Sequence, residues 1–196
     1  MFNHCDDFKD AFKPIEQLNE NNVRYYNIEG NNCYPSITSV ISFINRKKFA
    51  DWRAKVGNEA ANKKCKRATT RGTRLHLVNE YYVNNEDYTQ LEEWKVPLIQ
   101  MMFNSNKSYL DKHINNIVYQ EQRMYSDKLC LAGTVDLVCE HDGELAIVDF
   151  KTSEKEKPEE WLEDYFVQLS AYWAMFSEKT GVAPKKLVVW LVAEDG

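Results

Sequence analysis

Apolar positions recur at a helical period through most of the first 115 residues and at a strand period after them. Residues 1 to 20 carry only a weak pattern, and Tyr25 to Tyr34 reads as an irregular or extended segment with turn signals at Gly30, Asn31 and Asn32. Pro35-Ser36 opens a helix. Its apolar positions Ile37, Val40, Ile41 and Ile44 share a face, and Ser36 or Thr38 supplies the N-cap. The basic stretch that follows is rich in Ala and Lys, and its breaks at Gly57 and Gly72 predict one or two short helices. Another helix is expected over Thr73 to Val83, capped by Thr70 to Arg74, and Leu91 to Leu110 is helical with a soft break at Pro97.

Past Asn115, Ile117 to Tyr125, Thr134 to Glu140 and Glu144 to Lys151 read as three successive strands rich in Val, Ile, Leu and Tyr. A charged connection over Glu154 to Glu160 leads to an amphipathic helix, Trp161 to Ser177, with Trp161, Tyr165, Leu169, Tyr172 and Phe176 on one stripe. Leu187 to Val192 is a continuous apolar strand of the kind buried on both faces. The pattern predicts one α/β domain over 1–196. It has an N-terminal extension over 1–33, a helical portion over 34–115 and a strand-rich core over 116–196. With 196 residues and 43% apolar content the chain can bury a real core. Its longest uncharged apolar run, Leu187 to Ala193, is far short of the roughly 20 residues that cross a bilayer, so no membrane association is expected.

Charge changes the picture. The net charge of −5 speaks against a nucleic-acid partner. Yet Arg46 to Arg74 holds eleven Lys and Arg residues against Asp51 and Glu59, so that segment is +9 and the rest of the chain −14. Screening confines a charge's influence to about 10 Å, and a polyanion therefore responds to the local patch. Lys63, Lys64, Lys66, Arg67 and Arg71 could hold phosphates, or they could be a solvated helix face. Trp52 and Phe49 inside the patch could stack unpaired bases or form the buried side of the helix. The five cysteines (Cys5, Cys33, Cys65, Cys130, Cys139) are scattered without CxxC spacing, which suits free thiols in a reducing compartment. Asp6, Asp7 and Asp10 stand where a secretory or mitochondrial leader would be basic, so a cytoplasmic chain without a signal or transit peptide is expected.

Asp142-Gly143 between the two central strands is a strong hairpin signal. A two-residue turn there pairs residues whose numbers sum to 285, which sets Asp136 opposite Asp149 with Cβ atoms about 4.5–5.5 Å apart. Lys151 shares that face and Thr134 lies opposite it, while Val135, Leu137, Val148 and Phe150 fill the other. Two facing carboxylates conflict unless a cation sits between them, and hard oxygen donors suit Mg2+ or Mn2+. Such an ion acidifies water and polarises a phosphoryl oxygen, with Lys151 orienting or deprotonating the nucleophile. The alternative is a solvated face in which Lys151 only neutralises its neighbours. Glu121 on the first strand either faces this cleft or is an ordinary exposed glutamate.

GTVD (Gly133 to Asp136), IVDFKTS (Ile147 to Ser153) and QLSAY (Gln168 to Tyr172) resemble the RecB-like branch of the PD-(D/E)xK nuclease superfamily. Within it, YPSIT (Tyr34 to Thr38) and RGTRLH followed by Glu80 look like the mitochondrial genome maintenance exonuclease family and its phage relatives. The likeness runs from about Tyr34 to the end of the chain. Val135 stands where the superfamily's motif nominally has proline. The resemblance implies a restriction-endonuclease-like core with a mixed sheet and a helical N-terminal portion. It implies Asp136, Asp149, the Phe150 backbone carbonyl and His76 as metal ligands, Lys151 as the catalytic lysine, and Mg2+ or Mn2+ as cofactor. Glu80, one turn beyond His76, would bind a second ion or hydrogen-bond the imidazole. Gln168 and Tyr172 would position DNA near the lysine, with Thr152 beside it, although packing alone would also account for Tyr172. No cysteine follows Cys139, so the four-cysteine iron–sulfur cluster of some RecB-like nucleases is not expected.

The expected function is metal-dependent DNA exonuclease activity from ends, with single-stranded DNA favoured, in a phage or bacterial setting. A structure-selective endonuclease, a catalytically silent DNA-binding module on the same fold and a helical interaction protein unrelated to DNA are the alternatives.

Overall fold

Two sheets divide the chain. The computed structural model describes residues 1–196 apart from Asn22, Gly30, Asn31 and Gly196; the turn signals at Gly30 and Asn31 thus lie outside the described residues. The first sheet is antiparallel and three-stranded, with β1 (Glu16–Glu20), β2 (Val23–Ile28) and β3 (Asn32–Pro35) in that order. The sequence pattern foresaw only an irregular or extended segment here. Tyr26 and Ile28 are buried on β2 while most of β1 is exposed or half-buried, too few apolar positions to write a period of two.

The helices follow as α1 (Ile37–Ile44), α2 (Arg46–Val56), α3 (Asn58–Val83) and α4 (Pro97–His113). Ser36 is the N-cap of α1, its hydroxyl accepting the Ser39 N–H at 3.0 Å. Gly57, with φ +86°, separates α2 from α3. Gly72 does not break the chain, and the helices expected on either side of it are one helix of 26 residues. A Cβ at Gly72 would stand 3.6 Å from Thr152 Oγ1, so the residue marks a close approach of α3 to a strand, which offsets the roughly 1 kcal/mol that glycine costs inside a helix. Pro97 starts α4 at the position where a missing N–H costs nothing.

The second sheet contains β4 (Ile114–Ser126), β5 (Leu131–His141), β6 (Glu144–Ser153) and β7 (Lys186–Ala193), in that spatial order. The first three form an antiparallel meander. The helix α5 (Glu163–Thr180) then crosses over so that β7 runs parallel to β6, and Gly181 in the left-handed region (φ +73°) ends that helix. This is a mixed α/β sheet with helices on both faces. One face packs Leu137, Cys139, Val148 and Phe150 against Leu75 and Val78 of α3 and Met102 and Phe103 of α4. The other packs Val138 and Ile147 against Leu169, Tyr172 and Phe176 of α5. Trp161 is not part of that stripe, because it precedes α5 in a separate turn and is 68% exposed. Nor is β7 buried on both faces: it is an edge strand, half-buried at nearly every position. The small sheet leans on β5 through a hydrogen bond of 2.9 Å between the Tyr26 and Thr134 hydroxyls. No helix among the described residues is long and apolar enough to cross a membrane.

Candidate active site

The hairpin between β5 and β6 has the register its turn dictates. Asp142 and Gly143 both take positive φ (+50° and +77°), the geometry of a two-residue turn. Pairs summing to 285 run from His141↔Glu144 to Leu137↔Val148. The ladder stops there, one pair short of Asp136 and Asp149. On the other side of β5 the pairs Gln120↔Leu137 and Gln122↔Val135 keep one register, but Glu121 and Asp136 between them are unpaired, and Glu121 has φ +48°. A non-glycine residue in that region is strained, a feature concentrated at functional sites. The interruption corrects two expectations. Val135 packs on the α5 side with Val138 rather than with Leu137, and Thr134 reaches Tyr26 instead of facing Lys151, since strict alternation fails across an unpaired residue.

Asp136 fills the opening. Its Oδ2 accepts the Phe150 N–H at 2.7 Å, a donor that the β5–β6 ladder no longer uses. Asp149 is fully buried. Its Oδ1 accepts from Gln168 Nε2 at 2.9 Å, and the same nitrogen lies 3.1 Å from the Tyr172 hydroxyl. Asp149 Oδ2 is buried and is held by the Lys151 ammonium as an ion pair. His76, carried by α3 with its ring edge against Phe150, places Nδ1 at 3.7 Å from Asp136 Oδ2. Ligating atoms of His76, Glu121 and Asp136 all lie within 4.8 Å of one another.

The electrostatics are those of a site short of positive charge. Burial raises both Asp136 and Asp149 above the usual carboxylate range, and the charge of Asp136 pushes Asp149 further, while Lys151 pulls both back. Glu121 keeps an exposed edge, yet desolvation and then the charges of Asp136, Glu80 and Asp149 push it up to about 8. Glu80 is raised by burial and by Glu86, with His76 opposing. Burial and then Lys151 lower His76, against the Phe150 backbone, Asp149 and Glu80. The carboxylate oxygens of Glu121 and Asp136 beside the His76 imidazole, with more negative charge gathered there than Lys151 offsets, fit a hard divalent cation.

The sequence-predicted residues do not all occupy one place. Asp136, Asp149, Lys151, His76 and Glu121 converge, Glu80 borders them through His76, and the Phe150 backbone lies between Asp136 and His76. Gln168 and Tyr172 lie beneath the site, 7% and 1% exposed. Gln168 donates to Asp149 there, and Tyr172 adjoins Gln168. Trp52, Lys63, Lys64 and Arg67 line a groove of about 580 Å3 with Thr152, Lys157 and Tyr165. Lys66 is exposed but lines none of it. Arg71 is 6% exposed and spends its guanidinium on Thr152 Oγ1 at 3.1 Å and Glu194 Oε1 at 2.5 Å. Arg67 also pairs with Glu194, so two of the five residues expected to hold phosphates share one carboxylate within the protein.

The sequence pattern puts Tyr165 on the apolar stripe of α5, whereas the structure sets it beside Lys151. Its ring lies 5.2 Å from the Lys151 ammonium and 4.9 Å from that of Lys157, whose Nζ donates to its hydroxyl at 2.5 Å. The i, i+3 spacing from Gln168 could have found it. Glu194 carried no signal in the sequence, and neither did the Arg24 charge that opposes the raising of Glu121 from the small sheet.

A helix-flanked mixed sheet whose central hairpin opens onto carboxylates and a lysine defines a restriction-endonuclease-like fold. A family model of the PD-(D/E)XK nuclease superfamily matches residues 49–195, and the chain belongs to that superfamily. It is a nuclease of the class that acts on DNA, in a family that typically uses divalent metals such as Mg2+. No curated protein matches the chain.

Proposed function

We propose that the chain is a Mg2+- or Mn2+-dependent exodeoxyribonuclease that degrades DNA from its ends and prefers single strands. The observation that carries the metal-dependent hydrolysis is the junction of His76, Glu121 and Asp136 with the ion pair of buried Asp149 and half-buried Lys151 at the opened end of the hairpin. End dependence, single-strand preference and assignment to the RecB-like branch rest on the motifs GTVD, DFKTS and Gln-x3-Tyr. So does the setting, DNA replication, recombination or degradation in the cytoplasm of a bacterial or phage-infected cell.

His76, Asp136, Asp149, Glu121 and the Phe150 carbonyl would hold the cation, with Glu80 beside His76. When bound, it supplies a more acidic water and charge neutralisation at the phosphoryl oxygens. The chain does the rest. The Phe150 N–H and Gln168 Nε2 fix the two aspartates, so their oxygens need not reorganise. Lys151, as an ammonium, donates to and orients the attacking water and opposes the charge that develops on the phosphate. Lys63, Lys64 and Trp52 line the approach and hold the strand by phosphate contact and stacking.

The test compares end-labelled linear DNA with closed circles, with Mg2+ or with chelator, for the wild-type chain and Asp149→Asn. Loss of label from linear ends only, abolished by chelator and by the variant, is expected. Cleavage of circles would instead give a structure-selective endonuclease, and undiminished cleavage by Asp149→Asn would remove the site.

A further inference from the structure

The closed end of the β5–β6 ladder carries a second set of ligating groups. His113 is the last residue of α4, His141 the last of β5, and Asp142 the first residue of the turn. Ligating atoms of all three lie within 4.8 Å of one another. His113 Nδ1 is 2.6 Å from Asp142 Oδ1, and His141 Nδ1 is 3.1 Å from Asp142 Oδ2. The second contact lacks hydrogen-bond alignment, so His141 Nδ1 is a solvent-excluded nitrogen without a hydrogen-bond partner.

The donors are also held in place. The two imidazoles stack at 5.6 Å with planes 14° apart, Tyr109 stacks on the outer face of His113 at 6.3 Å, and Trp190 meets both imidazoles edge-on. The Asp142 N–H donates to the His113 carbonyl at 3.0 Å, which ties the turn to the end of α4.

We propose that His113, His141 and Asp142 form a second metal site, selective for a borderline ion such as Zn2+, that clasps the end of α4 to the β5–β6 turn. Two imidazole nitrogens and one carboxylate oxygen suit Zn2+, whereas Mg2+ demands oxygens in a near-ideal octahedron. A tetrahedral ion with bonds of about 2.0–2.1 Å spaces its ligands by roughly 3.4 Å. The present contacts need only a small opening as the His113–Asp142 hydrogen bond gives way, and water completes the shell. Lys186 Nζ, 3.8 Å from Asp142 Oδ2, opposes a cation there. It has other partners, the His141 carbonyl at 3.1 Å and Glu144 Oε2 at 3.7 Å, and keeps them when the carboxylate turns to the ion. Five residues of strand, about 16 Å, separate His141 from Asp136, so the site stands or falls independently of the nuclease reading.

The test titrates metal-free protein with Co2+ as a spectroscopic stand-in and with Zn2+ in thermal unfolding, using an Asp136→Asn/Asp149→Asn background to disable the first site. Expected are one Co2+ per chain with the intense visible bands of four-coordination and a Zn2+-dependent rise in Tm. Asp142→Asn keeps a favourable Asn-Gly turn and an acceptor for His113 and gives up only half-exposed ion pairs, so its metal-free Tm falls slightly at most; the affinity should fall by at least roughly tenfold. His113→Ala/His141→Ala should abolish binding. Absence of the Co2+ bands in the background, or equal affinity after Asp142→Asn, overturns the proposal.

Discussion

From Leu137 to His141 every residue of β5 has a partner on β6, and the turn beyond them is closed by two residues at positive φ. At the other end, Asp136 and Asp149 would be the next pair of the same register, yet neither is in the ladder, and the backbone donor set free at Phe150 holds a carboxylate instead. One end uses its polar backbone to fix the register. The other uses it to hold a charged group where burial would otherwise exclude it. Spending a ladder hydrogen bond on Asp136 is reasonable only if an ionised carboxylate is wanted there, because an unpaired buried charge is costly.

That comparison is broken most sharply by Asp136→Asn. The variant keeps an acceptor for the Phe150 N–H but removes one of two mutually repelling buried carboxylates. Cleavage should fall by at least ~10²-fold, the usual cost of one preorganised electrostatic partner, while the Tm of the metal-free protein holds or rises. Mg2+, which should raise the Tm of the wild-type chain, should do so much less in the variant. If Asp136→Asn destabilises the metal-free protein instead, the carboxylate belongs to the fold and not to an ion.

The closed end was legible in the sequence and the open end only in part, for one physical reason. Asp142-Gly143 announces its turn locally, and the register follows by counting, so the approach of Asp136 to Asp149 could be read from the pattern. Alternation could not foresee that the ladder ends there, since that depends on Glu121 at positive φ on a different strand. Hence Thr134 and Val135 were assigned to the wrong neighbours. Gly72 failed for a similar reason: whether a glycine breaks a helix or admits a close neighbour depends on β6, 80 residues further on. Gln168 and Tyr172 were found by motif, but their burial under Asp149 appears only once α5 is packed.

Gly133→Ala sharpens the comparison from beneath the open end. A Cβ there would lie 2.6 Å from Tyr172 Cε1 and 3.4 Å from Ile37 Cγ2. Tyr172 has little room to retreat, being 1% exposed and in contact with Gln168. Overpacking of this kind costs about 1–3 kcal/mol, and any shift of Tyr172 passes through Gln168 to Asp149. Thermal unfolding should show the loss of stability, and kcat should fall more than KM rises. Pairing the change with Tyr172→Leu should recover much of the Tm without recovering kcat. A loss of stability with kcat untouched would detach Tyr172 from the site.

The smallest expected effect concerns the basic segment, where the structure divides residues that the sequence had grouped. Lys63 and Lys64 line the groove leading to Thr152 and Tyr165, Lys66 does not, and Arg67 and Arg71 are engaged by Glu194. Each phosphate contact removed lowers the slope of log affinity against log salt by about 0.7 on a single strand. Lys63→Ala/Lys64→Ala should therefore weaken single-strand binding and flatten that slope by roughly 1.4. Lys66→Ala should leave both nearly unchanged, since Lys66 lines no part of the groove. Equal effects of the three lysines would mean that DNA responds to the whole +9 segment as a diffuse field and not to the groove. The carboxylate cluster would then be the only part of the surface that sets where the strand lies.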